Sequence, residues 1–262
     1  MLRLREVSFS YGPEPFMEGV SLEPAEGELT VVCGANGSGK TTLLKLAAGL
    51  LVPAAGKVEM GGRDAGRLEP AERARLVSWL PQFPVFPPAF TVLEGVMQGL
   101  YPRRRGFFDR EEDVRRAMEA LERVDCAGLA GRRPETLSGG ERQRAAVARA
   151  LVQDTPVLLL DEPAAHLDAA HAAGLFGLLL SLAREGRTVT VVTHDVNLAL
   201  AFADSIVLMK GGRIIAQGRP DEALTERTFE ECYGLGCTLV DRGDGRKAVL
   251  PDYGRGRSAA ER

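Results

Sequence analysis

Residues Gly34 to Thr41 read Gly-Ala-Asn-Gly-Ser-Gly-Lys-Thr, which fits the pattern Gly-x-x-x-x-Gly-Lys-Thr. In such a loop glycines let backbone N–H groups close around phosphate oxygens, and a helix starting behind it adds partial positive charge. Lys40 would reach the β- and γ-phosphates, and the Thr41 hydroxyl would hold Mg²⁺. Two carboxylates, Asp161 and Glu162, stand at the end of the apolar run Val157-Leu158-Leu159-Leu160. Asp161 suits a direct or water-mediated contact to Mg²⁺, and Glu162 could polarise a water attacking the γ-phosphate. Alone, that pair reads equally as a solvated turn; the phosphate loop decides for chemistry. His194 follows a third run, Thr188 to Thr193, and is placed to hydrogen-bond the γ-phosphate and orient the water.

A fourth group, Leu137-Ser138-Gly139-Gly140-Glu141, precedes Arg142-Gln143-Arg144 and the apolar stripe Ala145, Val147, Ala148, Leu151. Ser138 and Glu141 form a Ser-x-x-Glu capping box, so a helix starts here. Such boxes are common. Two glycines in the first turn are not, because each costs about 1 kcal/mol of helix propensity. Their presence leaves the amides and the Ser138 hydroxyl open to an incoming anion.

These groups need elements to carry them. Leu29-Thr30-Val31-Val32-Cys33 reads as a buried strand feeding the phosphate loop, with Leu43, Leu44, Leu46, Ala47 and Leu50 opening the helix behind it. The two acid- or histidine-bearing ends and the phosphate loop beside them lie where open α/β sheets bind ligands. Thr91-x-x-Glu94 and Asp109-x-x-Glu112 cap two helices, and Val114, Ala117, Met118, Leu121 and Val124 recur at helical spacing as core. Thr238-Leu239-Val240 and Ala248-Val249-Leu250, around Asp244-Gly245, read as a terminal hairpin.

Composition bounds the whole. The chain has 262 residues, 33 basic against 36 acidic for a net charge of −3, and is 45% hydrophobic, an ordinary globular balance. No segment offers 18 consecutive apolar residues; Ala169 to Ala183, the most apolar, contains His171 and Ser181. Arg3, Arg5 and Glu6 break up the opening residues, so no secretory signal is expected there. The mildly acidic balance argues against a broad duplex-binding surface. Cys33, Cys126, Cys232 and Cys237 lack metal-ligand spacing and read as plain thiols.

Over residues 2 to 235 the chain resembles the nucleotide-binding subunit of ABC transporters. The five residues from Leu137 match that family's signature without substitution, and the other motifs fall in its order. They are Tyr11 in Phe9-Ser10-Tyr11-Gly12, the phosphate loop, Gln82 in Trp79-Leu80-Pro81-Gln82, Asp161-Glu162, Asp168 and His194. The resemblance implies an α/β P-loop NTPase core with a mainly parallel sheet, an N-terminal antiparallel β subdomain and an inserted helical subdomain at about 83–155. Residues 1–235 would form one domain, with 236–262 a hairpin and a tail, disordered beyond Asp252. ATP would be held by Tyr11 stacked on adenine and by Gly34, Ala35, Asn36, Gly37, Ser38, Gly39, Lys40, Thr41 and Thr42; Thr41, Gln82 and Asp161 would hold Mg²⁺. Glu162, His194 and Gln82 would be catalytic. The resemblance further implies that two copies sandwich two ATP molecules head to tail. Ser138, Gly139, Gly140 and Glu141 would then act in trans, with Asp168 at the dimer interface. Ala164 and Ala165 depart from the pattern, since many relatives carry Thr and Ser there.

Several details resemble the importers of chelated iron, haem and cobalamin. Gly99-Leu100-Tyr101-Pro102 is similar to a Gly-Arg-Tyr-Pro segment of that branch, with Leu100 replacing Arg. His166-Leu167-Asp168 with His171, His194-Asp195-Val196-Asn197-Leu198-Ala199 and, less selectively, Gly218-x-Pro220 also fit. This implies transmembrane permease partners, an indirect substrate-binding protein, no nucleic acid, and a peripheral place at the cytoplasmic face of the inner membrane. The alternatives are an exporter subunit or a non-transport ABC ATPase of translation or DNA repair. Those soluble types usually carry two cassettes or a long coiled-coil insertion, and this chain has neither. A dead regulatory module is disfavoured by intact Lys40, Glu162 and His194. Arg103-Arg104-Arg105 reads as a solvated loop or one near anionic lipid.

Overall fold

Strand runs rich in Val, Leu and Ile need cover on both faces, and here they receive it. A computed structural model of the chain describes residues 2–103, 111–243 and 245–253. Its strands are β1 (Leu2–Phe9), β2 (Met17–Leu22), β3 (Leu29–Gly34), β4 (Ala55–Met60), β5 (Arg63–Asp64), β6 (Val77–Leu80), β7 (Val157–Asp161), β8 (Thr188–Val192), β9 (Ser205–Lys210), β10 (Arg213–Gly218), β11 (Cys237–Asp241) and β12 (Lys247–Pro251). The helices are α1 (Lys40–Ala47), α2 (Pro70–Leu76), α3 (Val92–Met97), α4 (Glu111–Arg123), α5 (Gly139–Val152), α6 (Ala169–Arg184), α7 (Val196–Phe202), α8 (Pro220–Ala223) and α9 (Glu226–Tyr233).

The central sheet runs β10-β9-β3-β8-β7-β6, parallel except where β10 turns back on β9. Its side chains divide by the strand period of two. Val31, Cys33, Leu158, Leu160, Val189 and Val191 enter one core with α3 to α7, while Val32, Val157, Leu159 and Val192 enter another with α1 and the antiparallel sheet β2-β1-β4-β5. The helical insert therefore shares the core that carries β7 and β8. This is the α/β architecture expected: mainly parallel sheet, N-terminal antiparallel sheet, helical insert.

Three expectations need correction or limits. Leu50 does not belong to the helix behind the phosphate loop and is 57% exposed. Gly49 adopts a left-handed φ of 68°, its N–H returns to the Leu46 carbonyl and that of Leu50 to the Lys45 carbonyl, a Schellman ending that stops α1 at Ala47. Val114 is exposed, not core, whereas Ala117, Leu121 and Val124 are buried; it lies at the N-terminal end of the stripe. Asp109 of the second capping box, Arg104, Arg105, Asp244 and the tail from residue 254 lie outside the described residues. Leu100 is buried in the insert, which gives its replacement of Arg a packing reason, and Arg103 pairs with Asp154.

The hairpin exists as β11 paired antiparallel with β12. Val249 is buried, and its N–H and carbonyl bond the Asn197 side chain at 2.8 and 3.2 Å, pinning the hairpin to α7. The insert's packing has a direct test. Leu121, fully buried on α4, should cost about 2–5 kcal/mol when truncated to Ala, by analogy with other buried leucines. Denaturant unfolding measures it, and a loss under half of that lower figure would contradict the packing described.

Candidate functional site

The site is assembled where β3, β8 and β7 end side by side. Gly34, the last residue of β3, allows the chain to pass close to β9: a Cβ there would press into the Met209 carbonyl and within 2.7 Å of Ser38 Oγ. The loop then closes on Lys40, whose Nζ donates to the carbonyls of Gly34 (2.7 Å) and Ala35 (3.0 Å). Gly39 caps α1 at φ 103°, a conformation open to glycine. Ser38 Oγ is buried without a hydrogen-bond partner, a donor of the kind a phosphate oxygen would satisfy.

Thr41 Oγ1 donates to Asp161 Oδ2 at 2.7 Å, tying the loop helix to β7. Asp161 is 1% exposed, and its other oxygen, Oδ1, is buried with no partner. Burial first, and Glu162 after it, push the Asp161 carboxyl above its usual range, against the opposing pull of Thr41 and Lys40. A hydroxyl and a bare carboxylate oxygen together form a hard-oxygen donor set that fits Mg²⁺.

The next residue turns sharply. Glu162 takes φ 52° while its N–H stays bonded to the Val192 carbonyl at 3.0 Å, so the peptide remains with the sheet as the side chain swings off it. Its Oε2 meets His194 Nδ1 at 2.9 Å. His194 is set by the neighbouring strand end, where the Thr193 N–H bonds the Val32 carbonyl and Asp195 caps α7. A buried, oriented carboxylate touching an exposed imidazole can hold and pass a proton.

Tyr11 lies at the other side of the loop, its hydroxyl 3.0 Å from Thr42 Oγ1 and its ring edge-on to Phe9 and Phe16. At 63% exposure it offers a face for stacking. Gln82 is exposed two residues beyond β6, which neighbours β7. Ser138 caps α5 as expected: its Oγ accepts from the Glu141 N–H at 3.2 Å, and Glu141 Oε2 accepts from the Ser138 N–H at 2.8 Å. The Ser138 N–H first, and the Ser138 hydroxyl after it, hold the Glu141 carboxyl below its usual range. Gly139 and Gly140 adjoin His166, and with Asp168 and His171 they line one cleft. Asp168 caps α6 and accepts from the His171 N–H, with His171 Nδ1 2.8 Å away.

The structure thus brings together Tyr11 with Thr42, Lys40 with Gly34 and Ala35, Thr41 with Asp161, and Glu162 with His194. It groups Ser138 to Glu141 with Asp168 instead, and among the described residues no hydrogen bond joins the signature to the phosphate loop. One residue escaped the sequence reading. Gln143, 3% exposed, donates from Nε2 to the Glu162 carbonyl at 3.2 Å and so links α5 to the turn after β7. Its spacing of four from the buried Val147 was the available signal.

A parallel sheet that ends in a phosphate loop, a hydroxyl–carboxylate pair and a glutamate–histidine pair defines a nucleoside triphosphatase. The family model for ABC transporters matches residues 17–165, and the chain belongs to that family as an ATP-binding cassette ATPase. It is 43% identical to the hemin import ATP-binding protein HmuV of Rhizobium meliloti, over 89% of this chain and 91% of that protein. Among solved structures it resembles an ABC transporter described as metal-chelate type, with 28% identity, a TM-score of 0.83 and coverage of 96% and 97%. It also resembles a dimeric bacterial ABC transporter cassette at 33% identity and TM-score 0.78, over 84% of this chain and 99% of that one. No helix among the described residues is long and apolar enough to cross a membrane.

The bare Asp161 oxygen predicts a trade between stability and binding. Asp161→Asn removes a buried charge and should stabilise the nucleotide-free chain by about 1 kcal/mol at neutral pH, the order of an unsatisfied buried group. Folding raises the Asp161 pKa, so its contribution is present below the ordinary value of 3.8 and is lost as pH rises through the higher folded value. The variant's advantage should therefore vanish in acid. Thermal unfolding across pH checks it, and a variant less stable than the parent at neutral pH would contradict it.

Proposed function

We propose that this chain is the ATP-hydrolysing subunit that powers an importer of an iron chelate, haem or cobalamin, the first two favoured by the relatives. The observation that carries the reading is the coincidence of Thr41–Asp161 and Glu162–His194 at one sheet edge. Lys40 and the amides of residues 34–42 hold the phosphates, and Tyr11 stacks on adenine. Mg²⁺ would supply positive charge at the phosphates, and Thr41, Asp161 and Gln82 are the residues that would hold it. Glu162 takes the proton of the attacking water, and His194, bonded to it, orients that water toward the γ-phosphate.

Ser138, Gly139 and Gly140 complete the site from a second copy, with Glu141 fixing the cap and Asp168 at the junction. The dimeric cassette that this chain resembles supports such a pairing. Residues 1–235 act as one domain, the insert near 83–155 facing a transmembrane permease at the cytoplasmic face of the membrane, with 236–262 an extension. A substrate-binding protein would deliver the chelate to the permease. Phe83 and Val85, 74% and 76% exposed just after Gln82, support a protein partner on that face. No nucleic acid is involved.

Glu162→Gln should keep ATP binding, lower turnover by about 10²-fold or more as loss of a general base does, and accumulate an ATP-bound dimer. Phosphate release and sedimentation read this, and wild-type turnover would overturn the assignment. Mixing Ser138→Arg with Lys40→Ala protein, each inactive alone, should restore at most one working site per heterodimer. Full recovery contradicts action in trans.

A further inference from the structure

The segment after Gln82 reads Phe83-Pro84-Val85-Phe86-Pro87-Pro88-Ala89-Phe90, and its three prolines have no N–H to give to a strand ladder. Its carbonyls still need donors. Two arginines supply them. Arg149 Nη1 donates to the Val85 carbonyl at 2.7 Å, and its guanidinium lies 4.6 Å from the centre of the Phe86 ring. Arg133 Nη1 donates to the carbonyls of Pro88 and Ala89 at 3.0 and 2.9 Å. Phe86 is 8% exposed, and its ring lies against Gly95 of α3 so closely that a Cβ there would come within 2.5 Å. Arg149 is itself held from behind, because Gly99 packs on its carbonyl. Burial lowers the Arg149 pKa, a cost that the carbonyl and the ring offset.

Both arginines are joined to the signature by short stretches of backbone. Arg149 sits on α5, the helix that Ser138 caps, and Arg133 stands five residues before Ser138 across one 3₁₀ turn, Pro134–Thr136. That turn is closed by the Thr136 N–H and hydroxyl, both bonded to the Arg133 carbonyl. The link from loop to Ser138 is thus short and braced on each side, while the outer face of the loop, Phe83 and Val85, is free to meet a partner.

We propose that Arg133 and Arg149 are positioning residues, a two-armed clamp that fixes the loop after Gln82 to the signature helix so that displacement of this loop moves Ser138. The inference rests on the reading of Ser138 and Gln82 given above. It makes the arginines act on the placement of the signature and leave the binding of nucleotide to one chain alone. The partners of the two side chains are Val85, Phe86, Pro88 and Ala89, all in the loop after Gln82.

The test uses the full chain with Arg133→Ala, Arg149→Lys, Phe86→Leu and the double variant Arg133→Ala/Arg149→Lys. Arg133 is exposed and the other changes conserve charge or bulk, so folding is preserved and is checked by thermal unfolding. Nucleotide affinity of the monomer should stay within about twofold, while kcat falls about tenfold or more in the single arginine variants, since a shift of about 1 Å can cost 10²-fold. The double variant should be little worse than the worse single one, because either release frees the loop. Wild-type kcat in both arginine variants overturns the clamp, and so does a loss of kcat matched by an equal loss of nucleotide affinity or of folded protein. Glu162→Gln, run alongside, separates this from failure of the catalytic reading: its turnover tests the site, and only the ratios to the parent test the clamp.

Discussion

The hydrogen bond from Thr41 to Asp161 joins two parts of the chain 120 residues apart, and the site is organised around it. It satisfies one oxygen of a carboxylate that is 1% exposed and leaves the other bare. Such a group is costly in an empty protein and useful in one that takes a cation and a phosphate. Its position is fixed by the β7–β8 register, which sets Asp161 opposite Val192 and holds the Glu162 amide on the Val192 carbonyl. The same strand end launches His194, so Asp161, Glu162 and His194 share one frame.

Around that frame the sheet has two dissimilar faces. One is covered by α1 and the antiparallel sheet, which steady the phosphate loop and Tyr11; the other takes α5, whose cap is Ser138. Gln143 bonds α5 to the carbonyl of Glu162, so the signature helix is attached to the acid turn from behind, not across the nucleotide. The signature therefore opens into the cleft with Asp168 and His171. Ala164 and Ala165, just before that cleft in sequence, bring no hydroxyls, and Asp168 lines it with the His171 ring beside it.

Much of this was legible in the sequence because short range dictated it. The strand runs, the phosphate loop and the capping boxes at Ser138 and Thr91 are local patterns, and they hold. What escaped depends on geometry between distant segments or on single dihedrals. Leu50 continued the apolar period, but the left-handed Gly49 had already ended the helix. Glu162 and His166 adopt positive φ values that no side-chain pattern announces. Gln143, Arg133 and Arg149 bond carbonyls 19 to 64 residues away, and nothing in their own neighbourhoods names those partners.

If one chain supplies the phosphate loop and the acids while a second supplies the signature, turnover must depend on encounter. The specific rate of ATP hydrolysis, measured with sedimentation over a wide range of chain concentration, tests this most directly. The expected rate rises with concentration to a plateau and vanishes where only monomers sediment. Undiminished turnover by sedimenting monomers would contradict it.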